Sequence, residues 1–251
     1  MSENLPPQPR LLDLFSGIGG FSLGLERAGF RTVAFCEIEP FPRRVLAKHW
    51  PGVPIYDDVR TLTAERLAAD GISVDAICGG FPCTDLSAAG NRAGIHADRS
   101  GLWSQFARLI GEIRPRIVVV ENVTELLSGG RGSWFSHVLG DLAGVRYDAE
   151  WHCVPAAAVG ANHIRGRVWI VANPQELSGV HKPDLGEGIR RRLSDHRDAW
   201  IACPWGSPSA AVCRVDDGIP HRVDRTSALG NAVVPQVVEM IGRAIMERET
   251  A

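Results

Sequence analysis

Between residues 10 and 172, short apolar runs alternate with stretches whose apolar side chains recur every three or four positions. The runs at 10–15, 31–37, 55–56, 74–78, 117–120, 147–154 and 167–172 predict strands. The stretches at 20–28, 40–49, 64–70, 103–113 and 134–143 predict helices. Val and Ile dominate the strands, as they do where a sheet is covered on both faces. Strand-then-helix repetition predicts an α/β class: a mostly parallel sheet with helices on both faces. The alternation stops at Asn173. From there to about Ile219, Pro, Gly, Asp, Arg and Ser prevail, which predicts a small loop-rich lobe. Periodicity returns in Val234, Val237, Val238, Ile241 and Ile245, one face of a helix begun near Pro235 that packs back on the first domain. The expected organisation is a disordered lead-in at 1–9, a main α/β domain at 10–172, a small region at 173–219 and a returning segment at 220–251.

Composition narrows the class. The length, 251 residues, suits one α/β domain with an insertion, or one large and one small lobe. No apolar run approaches the roughly 18 residues needed to span a bilayer. The first nine residues lack the basic and apolar regions of an export signal, so a cytoplasmic protein with reduced thiols is expected. The six cysteines include no Cys-x-x-Cys pair, so zinc-finger spacing is absent and no metal is expected. Buried, inert thiols are the reading for Cys36, Cys78 and Cys153. Net charge is −2, which does not announce a nucleic-acid partner. Arginines nonetheless cluster at Arg190, Arg191, Arg192 and Arg197, and at Arg214, Arg222 and Arg225. Such clusters read equally as a phosphate-binding face or a solvated charged surface.

Three strand ends carry chemistry. Asp13-Leu14-Phe15-Ser16-Gly17-Ile18-Gly19-Gly20 is a strand end, a tight turn and a helix start. Glycines let backbone amides approach a ligand, and the helix N-terminus favours a polar or anionic group. Glu37 lies 20 residues after Gly17, the distance at which a carboxylate accepts from ribose hydroxyls. Asp58 can accept from an adenine amino group. Alone, this predicts only an adenosine-containing cofactor, and a dinucleotide-dependent oxidoreductase competes. The glycines depart from Gly-x-Gly-x-x-Gly, which leaves room for a cofactor without a pyrophosphate.

The second strand end is Gly79-Gly80-Phe81-Pro82-Cys83. Pro82 fixes the backbone before Cys83 and presents the thiol at a strand end. The polar, glycine-bearing stretch 84–100 that follows has the composition of a mobile lid. The third is Glu121-Asn122-Val123, where a carboxylate ends an apolar strand and is costly without partners or a task. A buried structural cysteine and a capping carboxylate are the alternatives.

Phe15-Ser16-Gly17-Ile18-Gly19-Gly20, Gly80-Phe81-Pro82-Cys83, Glu121-Asn122-Val123, Arg165-x-Arg167 and Gly230-Asn231-Ala232-Val233 together resemble the DNA (cytosine-5)-methyltransferases, compact prokaryotic or phage type. The resemblance covers about 10–172 and 222–245, and 173–219 falls where that family varies its target-recognition region. It implies a Rossmann-like fold and S-adenosylmethionine as cofactor, released as S-adenosylhomocysteine. It implies a cofactor site built from Phe15, Ser16, Gly17, Gly19, Gly20, Glu37, Ile38, Asp58, Val59, Pro82, Leu102, Asn231 and Ala232. Cys83 would be the nucleophile, Glu121 the contact to ring nitrogen 3 and the amino group, and Arg165 and Arg167 would flank the base. Thr84, Ser87, Arg92, Arg190, Arg191, Arg214, Arg222 and Arg225 would meet DNA. Double-stranded DNA is the implied partner of a monomer, and a cognate restriction endonuclease acting separately is left open. Two departures stand out: Thr84 replaces a frequent Gln, and His163 stands where the arginine motif begins with Gln. They keep a non-catalytic DNA-binding relative open as an alternative.

Overall fold

The structure, a computed structural model, describes residues 8–82, 101–161, 163–175, 185–195 and 222–250. Seven strands form one sheet: β1 (Arg10–Leu14), β2 (Arg31–Cys36), β3 (Ile55–Tyr56), β4 (Ala76–Gly80), β5 (Ile117–Val123), β6 (Tyr147–Pro155) and β7 (Gly166–Pro174). Their order is β3-β2-β1-β4-β5-β7-β6. The first five are parallel, whereas β7 runs antiparallel to both β5 and β6.

Alternation along the central strands splits the core. Leu12, Leu14, Val118 and Val120 face a layer made by α4 (Gly101–Ile113) and α6 (Ser133–Gly144), with Trp103, Phe106, Leu109 and Leu142. Leu11, Ile117 and Val119 face α1 (Gly20–Arg27), α7 (Leu185–Asp195) and α9 (Pro235–Thr250). Burying each such Val, Leu or Ile stabilises the fold by about 1.5–3 kcal/mol. Four further helices complete the described chain: α2 (Pro40–His49), α3 (Ala64–Ala69), α5 (Glu125–Ser128) and α8 (Arg222–Asn231).

The returning helix expected from Pro235 is α9, and it lies close against α1. A Cβ on Gly24 would meet the Pro235 carbonyl oxygen at 2.5 Å, and one on Gly242 would meet Ala28 at 2.7 Å. The 173–219 stretch also contains α7, whose Leu185 and Ile189 are buried against α9. Arginines and glycines dilute the apolar signal of that helix, so composition reads it as loop. Residues 196–219 lie outside the described residues. No helix among the described residues is long and apolar enough to cross a membrane.

Candidate active site

The chain visits β1, β2 and β3 on one side and then crosses to β4 and β5, so the strand order reverses between β1 and β4. In open α/β sheets, the crevice at the carboxyl ends of such neighbouring strands takes ligands. The turns after β1 and β4 both open there. Because β7 is antiparallel, it presents its beginning at this same edge: Arg167 pairs in register with Val123, and Trp169 with Glu121. That is how Arg165 and Arg167 reach residues at the ends of β4 and β5.

Glu121 is only 9% exposed, inside β5 rather than at its last position. Arg167 Nε lies 2.8 Å from Glu121 Oε1. The other oxygen, Oε2, occupies the space beside Gly80, where a Cβ would sit 2.8 Å from it. Burial pushes the Glu121 carboxyl up, while the charges of Arg167 and Arg165 oppose the shift. The Arg165 guanidinium, itself shifted down by burial and by Arg167, donates from Nη2 to the Ala232 carbonyl at 3.0 Å. Asn122, at the next position of β5, donates from Nδ2 to the Phe81 carbonyl at 3.2 Å. This ties β5 to the backbone directly before Pro82 and Cys83. Asn122 was part of the recognised motif but carried no assigned role, and a buried amide at the end of an apolar strand is the signal that singles it out.

The turn after β1 is held from below. Asp13, fully buried, accepts from the Ser22 hydroxyl at 2.8 Å and the Ser22 amide at 3.3 Å. The cap residue Gly19 has no side chain, so a strand carboxylate satisfies the α1 N-terminus instead. Burial raises the Asp13 carboxyl to about 7, against the hydrogen bonds from Ser22 and Cys78. Above it, Glu37 Oε2 accepts from the Gly17 amide at 2.7 Å and Oε1 from the Glu39 amide at 2.8 Å. Burial raises Glu37 as well. Phe15 adopts φ +53°, unusual for a residue with a side chain, and stacks on Phe106 at 6.3 Å. Strain at such a position is characteristic of ligand sites. Ser16 is buried, with its hydroxyl bonded to the Asp13 carbonyl at 2.6 Å.

These residues fit an adenosine-bearing group. Gly17 is left-handed with open space where a Cβ would stand. Ile38, beside Glu37, is 55% exposed, an apolar side chain available to a ring. Val59 is buried, and Leu102 on α4 packs on the same core cluster as Phe15. Asp58 Oδ1 already accepts from the Arg60 amide and Nε, at 2.9 and 3.2 Å. Pro82 is exposed. Asn231 ends α8 and Ala232 follows it. Beside them, Val233 closes on Gly20, whose Cβ would meet Val233 at 2.9 Å. Tight packing of Gly19 on Trp50, at 2.6 Å from a notional Cβ, fixes the rest of the loop.

Cys83, Thr84, Ser87, Arg92 and Arg214 lie outside the described residues, as does the stretch 84–100. Of the other thiols, burial lifts Cys36 to about 12 and Cys78 well above the ordinary range, so both are inert as nucleophiles, whereas Cys153, expected buried, is exposed on the edge strand β6. Arg190 is exposed on α7, Arg191 bonds Glu247 Oε2 on α9 at 2.6 Å, and Arg192 bonds the other oxygen of that carboxylate. Arg222 and Arg225 belong to α8. No group of three or more His, Cys, Asp or Glu among the described residues is arranged to hold a metal ion.

The model of the C-5 cytosine-specific DNA methylase family matches residues 10–195. The chain belongs to this family. The Type II methyltransferase M.AquIA of Picosynechococcus is 30% identical over 242 residues, 86% of this chain and 98% of that protein. M2.BsuMI of Bacillus subtilis is 37% identical over 168 residues, 65% of this chain and 42% of its own. M.NgoMIV of Neisseria gonorrhoeae is 36% identical over 172 residues, 68% and 54% respectively. The chain thus spans about half the length of the last two relatives and nearly all of the first. Among solved structures, a prophage-encoded protein of Escherichia coli superposes with a TM-score of 0.70 at 18% identity, covering 97% of this chain and 100% of that one. The Entamoeba histolytica methyltransferase EhMeth gives 0.67 at 12%, covering 96% and 99%. At these identities the likeness speaks for the shared fold. The C-5 cytosine methylase match spans the glycine turn, Cys83, Glu121 and both arginines.

Proposed function

We propose that this chain is a DNA (cytosine-5)-methyltransferase acting through a covalent Cys83 adduct on a cytosine flipped out of double-stranded DNA. The observation that carries this reading is the buried Glu121, clamped by Arg167 and facing Gly80, three positions before Cys83. Carbon 5 of cytosine is too weak a nucleophile to take a methyl group unaided. Addition of the Cys83 thiolate at carbon 6 makes the ring enamine-like and raises electron density at carbon 5. Glu121, whose hold on a proton burial strengthens, donates to ring nitrogen 3 as negative charge builds there. A free thiol titrates at about 8.5, and the guanidinium of Arg165 at this edge favours its thiolate. Once carbon 5 has formed its bond to the methyl group, a base takes the carbon 5 proton, the carbon–sulfur bond breaks, and Cys83 recovers its electron pair.

S-adenosylmethionine, when bound, supplies an electrophilic methyl group. Glu37 would hold the ribose hydroxyls, Phe15 and Ile38 the adenine faces, Asp58 the adenine amine, and Asn231 with Ala232 the closing edge. Carbon 6 is shielded in a stacked duplex, so the base must be everted, at a cost of a few kcal/mol. The 84–100 stretch is our candidate to close over it, with Thr84, Ser87, Arg92, Arg190, Arg214, Arg222 and Arg225 supplying DNA contacts. Arg191 joins that set only where Glu247 yields it. The Type II names of the relatives support a restriction–modification setting; a monomer working on DNA in the cytoplasm of a bacterial or phage-infected cell completes our reading.

The test is transfer of labelled methyl groups to unmethylated DNA of varied sequence, followed by trapping on 5-fluorocytosine DNA. A covalent adduct that Cys83→Ala abolishes is expected. A folded protein that labels no cytosine and traps no adduct would leave the non-catalytic reading standing.

A further inference from the structure

Trp169 is 2% exposed, and its indole Nε1, buried, has no hydrogen-bond partner among the described residues. Its ring packs edge-on against Phe21, with centroids 5.7 Å apart. A phenylalanine would serve that packing equally. Leaving an N–H buried and unpaired costs about 1–3 kcal/mol, so the indole asks for an acceptor.

Trp169 stands directly opposite Glu121 in the β5–β7 register. Opposed residues share a sheet face, with Cβ atoms roughly 4.5–5.5 Å apart. Both side chains line one pocket, together with Arg165, Arg167, Val154 and Val233. The pocket has room for about one water molecule. A buried water needs two to four polar partners, and this pocket offers both kinds: the Trp169 and arginine N–H groups donate, and the Glu121 carboxylate accepts. The other lining side chains, Val154, Ala156, Val233, Val234 and Val237, are apolar.

We propose that this pocket holds one ordered water, and that Trp169 is a positioning residue which orients Glu121 through it. Its catalytic part rests on the reading of Glu121 given above. The water accepts from Trp169 Nε1 and donates to the carboxylate, completing the clamp that Arg167 begins on Oε1. The charged groups acting on Glu121 are Arg167 and Arg165; on β6 the titratable His152 stands opposite Trp169 in register.

Trp169→Phe removes the donor and keeps the ring. A donor that stabilises the carboxylate holds its titration down, so its loss raises it. The variant is expected to lose about 2- to 10-fold in kcat, with cofactor KM unchanged and the alkaline limb of the kcat profile moved to higher pH. A merely structural role would lower kcat without moving that limb. In parallel, the Trp169 indole proton of the wild-type protein is expected to show a dipolar NMR contact to a long-lived water. Absence of that contact removes the water, whatever the activity; contact with an unmoved alkaline limb removes the positioning role. The NMR readout stands even if Trp169→Phe fails to fold. It stands equally if the wild type methylates nothing, a result that would fall on the proposed function instead.

Discussion

Arg167 Nε and Glu121 Oε1, 2.8 Å apart, join the start of an antiparallel strand to the end of a parallel one. The contact holds one carboxylate oxygen and leaves the other beside Gly80. Glu121→Gln keeps the shape but cannot transfer a proton. Its kcat is expected to fall by about 10²–10⁴, with DNA affinity held within a few-fold. Steady-state kinetics and a binding titration check both; a kcat within a factor of three of wild type removes Glu121 from its role.

Gly80 is required by space. A Cβ there would lie 2.8 Å from Glu121 Oε2, closer than carbon and oxygen tolerate. Gly80→Ala is expected to displace the carboxylate and lower kcat at least tenfold, because a misplacement of about 1 Å can cost about 10²-fold. Differential scanning calorimetry accompanies the assay. An active variant with an unchanged melting point would show that Oε2 is free to move.

The Asp13 carboxyl makes stability depend on pH. Its folded-state value, about 7, lies above the ordinary 3.8. The folded protein therefore binds the proton more tightly than the unfolded chain, and stability falls as pH rises from about 4 to about 7. The span corresponds to at most roughly 4 kcal/mol. Asn at position 13 stays neutral. Urea unfolding of Asp13→Asn across this window is expected to lack this component of the slope; an identical slope in both proteins contradicts the assignment.

Close approach of α1 and α9 depends on Gly24, where a Cβ would meet the Pro235 carbonyl oxygen and Val238 at 2.5 Å. Gly24→Ala is expected to destabilise by about 1–3 kcal/mol, and to weaken cofactor binding because α9 carries the segment beside Gly20. Gly140→Ala, in α6 with open space around it, is the control and is expected to gain up to about 1 kcal/mol. Equal melting temperatures for the two variants would refute the packing argument.

Much of this was legible along the chain. The strands from β1 to β7 fall close to their expected places, since alternating or continuous Val, Ile and Leu has few other uses. The glycine turn, Glu37 and Glu121 stand out in the sequence because polar and flexible residues at apolar strand ends are costly without a task. Asn122 and Asp13 carried no assigned role, because their tasks are bonds to single groups, the Phe81 carbonyl and Ser22, and such bonds leave no periodic signal in the sequence. The α7 helix was missed because only Leu185 and Ile189 mark its buried face amid arginines and glycines.

Local patterning alone therefore determined the α/β alternation, the returning C-terminal helix and the family, because these depend on spacing between neighbours. Only the tertiary structure decided that β7 turns back between β5 and β6. That reversal brings Arg165 and Arg167 to Glu121 and sets Trp169 opposite it. Strand direction depends on which partner's backbone is free to pair and on the length of the connection, and neither is written in the residues of β7 themselves.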